Sequence, residues 1–557
     1  RSTSDIKRRG AWKYAQDPTT EVLCLSFRIP SWTPGRTGLW FPGFPHLGIQ
    51  PANTKDLTEL FDWIAAGKPL SCWNAAFERA IWKHVLVPQD WPAVPSNSWR
   101  CSAAKAAAHT LPRGLDDAAK VLKLAEQKDA EGHRLMLRMS KPRKPRKAER
   151  LAWQKQHGSA LHPILWHESR ELLERLFAYN RQDVLTEAAV SAAVPDLSPE
   201  ELELYLIDQQ INERGFQLDA EGVAAALKLV TTETPRLNKE LEALTGGAVQ
   251  KATQRAKLLK WFESQQFFLA NSQKDTIEEA LTAPRLDPKV KRALELLKML
   301  GKSSTAKYST MSAWSGSDGR VRGGLLFHGA STGRWSGAGV QPQNFVKGVI
   351  KDMPALWTAL KTKNREHIQS VASELSEGKV TDVLAALSQA LRGAIIAPPG
   401  KQLYVGDFAG IEARVVQWLA GDEDALNMFR QKQDIYKSMA ADIYSISVSD
   451  VDKDQRQLGK QAVLGCFAAD TLVLTDGGWK QIVDVTQTDR VWDGVAWVSH
   501  DGVVCKGKRQ TIELEGISLT PDHLVLTGKN WTPALKVVQD GFILSQALET
   551  GSARLPW

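Results

Sequence analysis

Cysteine is scarce: five in 557 residues, at Cys24, Cys72, Cys101, Cys466 and Cys505, odd in number and without CxxC spacing. A disulfide scaffold and a cysteine-rich zinc site are thereby excluded, and a reducing compartment fits best. No run of about 18 apolar residues occurs, which excludes a membrane-spanning helix and makes a cytoplasmic protein the expectation. Nor does a charged-then-apolar signal pattern stand at the start. Glycine (40) and proline (26) are too few for a collagen-like chain. Lys+Arg 71 against Asp+Glu 63 leaves only +8, with a sequence pI near 9.0, which permits a polyanionic partner without requiring one. What is present is ordinary for a globular protein, 43% hydrophobic and 24% charged, and long enough for several cores. The chain opens at Arg1 without methionine and closes at Trp557 without a terminal cap, so both ends read as cut.

Along the chain the texture changes twice. Residues 20–28 alternate and predict a strand, 57–66 have helical spacing, and a short segment at 70–74 leads to a helix over 77–85. Further helices are expected over 113–124 and 168–192, and this alternation predicts an α/β domain ending near 195. Inside it Lys141, Arg143, Lys144, Arg146, Lys147 and Arg150 form a proline-broken basic run, either a solvated loop or a phosphate-contacting arm. Ser198, three residues before Glu201, predicts a capping box. The chain is then helical and charged to about 310, glycine-rich strand and turn from 320, a strand over 401–408, and helical again to Leu464. After Cys466 short strands separated by Gly and Asp turns predict a small all-β module.

Three units carry phosphate chemistry. In YVGDFAGIEARVVQW, Asp407 stands where a strand yields to a turn and helix, so its carboxylate is exposed as a hard-oxygen ligand for magnesium. In DKDQRQLGKQAVLG, Arg456 and Lys460 are four apart and Leu464 four further on, so all three share one helix face. Two cations on one stripe suit a triphosphate, and the apolar position suits a base or sugar. In STGRWSGAGVQPQNF, Arg334, Gln343 and Asn344 stand in a glycine-rich loop and suit base edges and sugars in a minor groove.

In this order and separation the three units resemble family A DNA polymerases of the bacteriophage and prophage branch, over about 195–465. TGRWSG…PQN resembles the primer–template segment, DFAGIEARV motif A, and RQLGKQAVLG the start of motif B, while LSPEELELYLIDQQINERGFQLD resembles the entry to the polymerase domain. The resemblance implies two-metal magnesium chemistry, with Asp407 a metal ligand and Glu412 the steric gate against a ribose 2′-OH. It implies that Arg456 and Lys460 hold the incoming triphosphate and protonate pyrophosphate, and that Tyr436 belongs to the same nucleotide-binding fingers as Leu464. Primer–template DNA and dNTPs are the implied partners. The family's second palm carboxylate, in a His-Asp motif C beyond motif B, has no counterpart here. A separate or truncated C-terminal segment is expected to carry it.

YNRQDV places Tyr179 and Asp183 four apart on one helix, and WNAAFER places Glu78 after Asn74 and Phe77. These resemble the third and second motifs of the 3′–5′ proofreading exonucleases of the ribonuclease-H-like superfamily. The resemblance implies that Tyr179 orients the attacking water and that Asp183 and Glu78 bind metal, although Glu78 stands where that family more often has Asp. The first motif, an Asp-x-Glu on the opening strand, is absent.

Where motif B should continue, the chain reads CFAADTLVLTDGGWKQI and later GISLTPDHLVLT. Cys466 follows Gly465 directly, and Thr520 and His523 are three apart. These blocks resemble the Hint fold of inteins and hedgehog autoprocessing domains. The resemblance implies that the Cys466 thiolate attacks the Gly465 carbonyl to exchange amide for thioester, that His523 protonates the departing nitrogen and that Thr520 hydrogen-bonds to the scissile bond. No closing His-Asn before Cys, Ser or Thr occurs, so a split intein and a truncated contiguous one both stand open.

The expected architecture is multidomain α/β and α+β: an exonuclease-like domain at 1–195, a partial polymerase thumb, palm and fingers at 196–465, and an all-β Hint segment at 466–557. The alternative is a catalytically inactive primer–template-binding remnant whose only activity is Hint autoprocessing.

Overall fold

The structure is a computed structural model describing residues 1–159, 162–330, 332–464, 472–492, 497–500, 512–514, 517–519, 524–527 and 530–533. It divides into two units, Arg1–Leu403 and Tyr404–Trp557, a division that differs from the limits drawn at 195 and 465.

In the first unit local sequence sets the helix ends. Helix Arg170–Ala193 starts where the Ser169 hydroxyl accepts from Leu172 N at 3.3 Å, and it buries Leu173, Leu176, Phe177 and Tyr179 on one face. Helix Pro199–Arg214 has Pro199 in its first turn and ends at Gly215, whose φ of 64° a side chain would resist. Only half of the expected capping box forms. The Ser198 hydroxyl accepts from Glu201 N at 3.2 Å, but the Glu201 carboxylate reaches His328 Nε2 at 3.1 Å instead of its own helix start.

The N-terminal strands are three residues each and form two separate pairs. Leu25–Phe27 runs antiparallel to Gly38–Trp40, and Leu70–Cys72 runs parallel to Trp99–Cys101. A parallel pair needs a crossover, supplied by helix Ala75–Ile81 and the wider turn Trp82–Leu86. Trp82, Trp91 and Trp99 pack edge to face between these elements, with centroids 5.2 and 5.9 Å apart. The mixed α/β content matches the expectation for 1–195, while the two strand pairs do not join into one sheet among the described residues.

The largest core belongs to the helical stretch that follows. Helix Ala220–Leu244, capped by Asp219, turns Leu229, Leu237 and Leu241 onto Phe262, Leu294, Tyr308, Leu356 and Leu387. Strand Phe216–Leu218 forms the centre of a three-stranded antiparallel sheet, flanked by Arg320–Val321 and Ile395–Ile396. No helix among the described residues is long and apolar enough to cross a membrane.

In the second unit, helices Ile411–Ala420, Glu423–Arg430, Ile435–Tyr444 and Lys453–Leu464 precede short antiparallel strands. Among them Leu472–Thr475 pairs with Gly478–Gln481, and Leu524–Thr527 with Asn530–Pro533. The strand expected over 401–408 does not form. No strand among the described residues includes this segment, in which Tyr404 is 90% and Val405 96% exposed. Alternation supplies a strand's faces but not the adjacent strand that a ladder needs.

Candidate nucleotide and nucleic-acid sites

The helix pair Ile435–Tyr444 and Lys453–Leu464 packs through small residues. A Cβ on Gly459 would collide with the Tyr436 carbonyl oxygen and lie 3.0 Å from Ala440 N and Cβ. Bare backbone is therefore required where the two helices meet. The contact sets Arg456, whose Nε donates to Asp434 Oδ2 at 2.7 Å and whose guanidinium lies 5.2 Å from the Tyr436 ring centroid. Asp434 also caps helix Ile435–Tyr444, accepting from Tyr436 N and Lys437 N. Partial burial opposes ionisation of Asp434, but the Arg456 hydrogen bond and these backbone donors hold its carboxyl below the usual range. Lys460 is exposed one turn beyond Arg456. Leu464 closes the same helix.

Tyr436 also faces the turn carrying the motif-A residues. A Cβ at Gly410, itself left-handed with φ 58°, would lie 3.8 Å from the Tyr436 hydroxyl. Gly410 stands between Asp407, exposed before the turn, and Glu412, exposed in the first turn of helix Ile411–Ala420. Tyr436 thus has the Gly410 turn beside its hydroxyl and the Arg456 guanidinium beside its ring.

In the first unit Arg334, Gln343 and Asn344 are all exposed on the glycine-rich loops. Gln343 packs over Gly337 in the short strand Ser336–Gly337, and Asn344 Nδ2 donates to Gln341 Oε1 at 2.9 Å. The residues that hold these loops escaped the sequence reading. Buried Asp208 accepts from Trp335 Nε1 at 2.9 Å and from Gln209 and Asn212. Asn212 in turn clasps Leu325 through both its N–H and its carbonyl. Their one sequence signal was Asp208 and Asn212 four apart on a helix otherwise read as an entry segment.

The exonuclease-like residues are brought together only in part. Tyr179 is buried, its hydroxyl hydrogen-bonded to Asp183 and 3.4 Å from His133 Nδ1. Burial pushes Asp183 up against the opposing pull of Tyr179, Lys128 and His133, and its Oδ1 is buried without a partner. Lys128 Nζ stands 3.8 Å from Asp183 Oδ2. Glu78 faces a different set: Glu187, whose own carboxylate accepts from Ser102, and the Cys72 thiol. Burial, then the Glu187 charge, lifts Glu78 to about 7, and its Oε2 is buried without a partner. Glu187 lies one turn after Asp183, but nothing in the sequence distinguished it from a surface acid.

The folded state therefore keeps a proton on Glu78 that the unfolded chain releases near 4.5. Stability contributed by the neutral form is complete below that value and is lost as pH rises through about 7. Glu78→Gln is expected to stabilise the protein by on the order of 3 kcal/mol at pH 8 and negligibly at pH 4.5, read by urea unfolding at both. Equal effects at the two pH values would contradict the burial of this carboxyl.

The implied magnesium needs converging donors, and among the described residues no three His, Cys, Asp or Glu converge to hold a metal ion. Asp407 is one exposed carboxylate, Asp183 is faced by Lys128, and Glu78 turns to Glu187. These residues alone do not compose a two-metal site. Cys466, Thr520 and His523 lie outside the described residues.

Residues 236–468 match the sequence profile of DNA polymerase family A. The DNA polymerase of Bacillus phage SP02 is 34% identical over 474 residues, covering 83% of this chain and 67% of the phage protein. The chain belongs to DNA polymerase family A. DNA polymerase I of Chloroflexus aurantiacus is 29% identical over 108 residues, 19% of this chain and 10% of its own length. Among solved structures, the POL domain of Pol1 from M. smegmatis in complex with DNA primer-template and dNTP aligns at 14% identity with TM-score 0.40, over 74% of this chain and 60% of that one. The matched stretch of this polymerase-family chain includes Asp407, Glu412, Tyr436, Arg456 and Lys460.

Proposed function

We propose that the chain performs template-directed transfer of a nucleotidyl group from dNTP to a primer 3′-OH, and that residues 1–195 are its proofreading exonuclease. The observation that carries the polymerase reading is Tyr436, which stands beside both the Arg456 guanidinium and the Gly410 turn between Asp407 and Glu412. Arg456 and Lys460 grip the triphosphate, charge-assisted donors to phosphate being among the stronger hydrogen bonds. Glu412 fills the space a 2′-OH needs, and Asp407 supplies one metal-binding carboxylate. Arg334, Gln343 and Asn344 touch the primer–template duplex. In the exonuclease Tyr179 positions the attacking water beside Asp183, and Glu78 and Glu187 are its other acidic groups.

The segment from Cys466 is the N-terminal part of an intein, whose removal rejoins the Lys453–Leu464 helix to a C-terminal segment with the second palm carboxylate.

Primer extension by the full chain tests this, with and without a C-terminal polypeptide carrying motif C and the remaining intein sequence. Extension is expected only with the added polypeptide, and Cys466→Ala is expected to abolish both thiol-induced cleavage after Gly465 and extension. Primer–template binding without extension in either arm would favour the inactive remnant. Cleavage persisting in Cys466→Ala would remove Cys466 as nucleophile.

A further inference from the structure

The net charge of the protein is concentrated in one place. Residues 141–157 hold seven Lys and Arg against the single acid Glu149, a net +6 in a chain whose total is +8. Six of those cations, Lys141, Lys144, Arg146, Lys147, Arg150 and Lys155, are exposed. Arg143 alone is directed inward. Its two terminal nitrogens donate to the two Glu149 oxygens at 2.8 Å each, and its Nε donates to the Trp166 carbonyl at 3.1 Å. Its backbone N–H bonds the Leu165 carbonyl at 2.8 Å. This clasp fixes the arm to the domain while the remaining positive charge faces solvent.

The arm does not serve a core. Helix Lys147–His157 has no buried residue, and at 11 residues it is below the roughly 12–15 at which an isolated helix becomes even marginally stable. It instead carries an aromatic platform: the Trp153 ring stacks on exposed His157 with centroids 3.7 Å apart and planes at 15°, and His162 lies 5.3 Å away. Stacked rings among backbone-spaced cations suit unpaired bases, whose faces are open; a duplex hides those faces.

The arm is rooted beside the exonuclease residues. It leaves the end of helix Ala130–Met139, whose Gly132 lies against the Tyr179 ring and whose His133 reaches the Tyr179 hydroxyl. A Cβ on Gly132 would lie 2.5 Å from Tyr179 Cδ2, so helix and ring are in direct contact. Met139 shares the core that buries Tyr179.

We infer that residues 141–157 bind single-stranded DNA and lead its 3′ end toward Tyr179 and Asp183. This rests on the proofreading reading for its destination, but strand binding is measurable without nuclease activity.

The test is fluorescence anisotropy of the full chain with a labelled oligothymidylate of about 12 nucleotides, with primer–template duplex, and with anionic phosphatidylserine vesicles. Combined alanine substitution of Lys144, Arg146, Lys147 and Arg150 is expected to weaken strand binding about 100-fold and flatten the slope of log K against log salt by about 3, at roughly 0.7 per phosphate contact. Duplex binding should change less than about threefold, because its proposed contacts lie elsewhere. Trp153→Ala should weaken strand binding about 10-fold with the salt slope unchanged, as loss of one stacked base does. Strand affinity unaltered in both variants overturns the inference, as does equal loss on strand and duplex, or vesicle binding tighter than strand binding. Strand binding that follows these expectations in a chain without nuclease activity sustains the arm and removes the proofreading reading instead.

Discussion

Replacing Arg79 with methionine is expected to lower stability by about 3 kcal/mol, because the buried partners lose their charge and donors together. Arg79 is 5% exposed, on the helix that crosses between the two parallel strands. Its guanidinium donates to Gln209 Oε1 at 2.7 Å and to Glu213 Oε2 at 2.6 Å, both on helix Pro199–Arg214. It therefore fastens the N-terminal α/β region to the helix that also carries Asp208 and Asn212, the residues holding the Arg334 loop. Lys83 and Ser96 continue to satisfy Glu213, so the loss falls below that of a fully stranded carboxylate. In the background of Glu213→Gln the cost of Arg79→Met should be smaller, since the charged half of the pair is already gone. Urea unfolding and amide hydrogen exchange over 199–214 read both results. Unaltered protection in Arg79→Met would show that this helix is held by its apolar face alone.

The second large effect is expected at Gly459. Gly459→Val places branched carbons against the Tyr436 backbone, where the neighbour is a carbonyl and not a flexible side-chain end. Overpacking of this kind costs about 1–3 kcal/mol and forces the helices apart. Arg456 then moves away from Asp434 and Tyr436, and if it grips the triphosphate as proposed, loss of one charged hydrogen bond, worth about 1.5–3 kcal/mol, weakens dNTP binding roughly 10- to 100-fold. Hydrogen exchange should report lost protection over both 435–444 and 453–464. Arg456→Ala provides the comparison, weakening dNTP binding with protection retained. Wild-type protection in Gly459→Val would mean that the two helices do not meet through this residue.

Much of this was readable in advance because it depends on neighbours in sequence. Ser198 announced a helix start through its own side chain, and the motif-A and motif-B wording located Asp407, Arg456 and Lys460 within the family-matched stretch. Helix spacing likewise put Arg456 and Lys460 on one stripe. The role of Glu201 was misjudged because its alternative partner, His328, is 127 residues away. The strand over 401–408 was misjudged for a related reason, since a ladder needs a second chain segment that no local pattern supplies.

Composition and motif order alone pointed to a multi-core chain resembling the polymerase family to which it belongs, and named candidate side chains for phosphate chemistry. Tertiary structure decided which charges meet. It turned Glu78 toward Glu187, faced Asp183 with Lys128, and put Tyr436 between Arg456 and the Gly410 turn. The physical reason is that spacing along a helix specifies a direction in space. The burial and neighbouring charge that set a carboxyl's protonation arise only when distant segments pack against it.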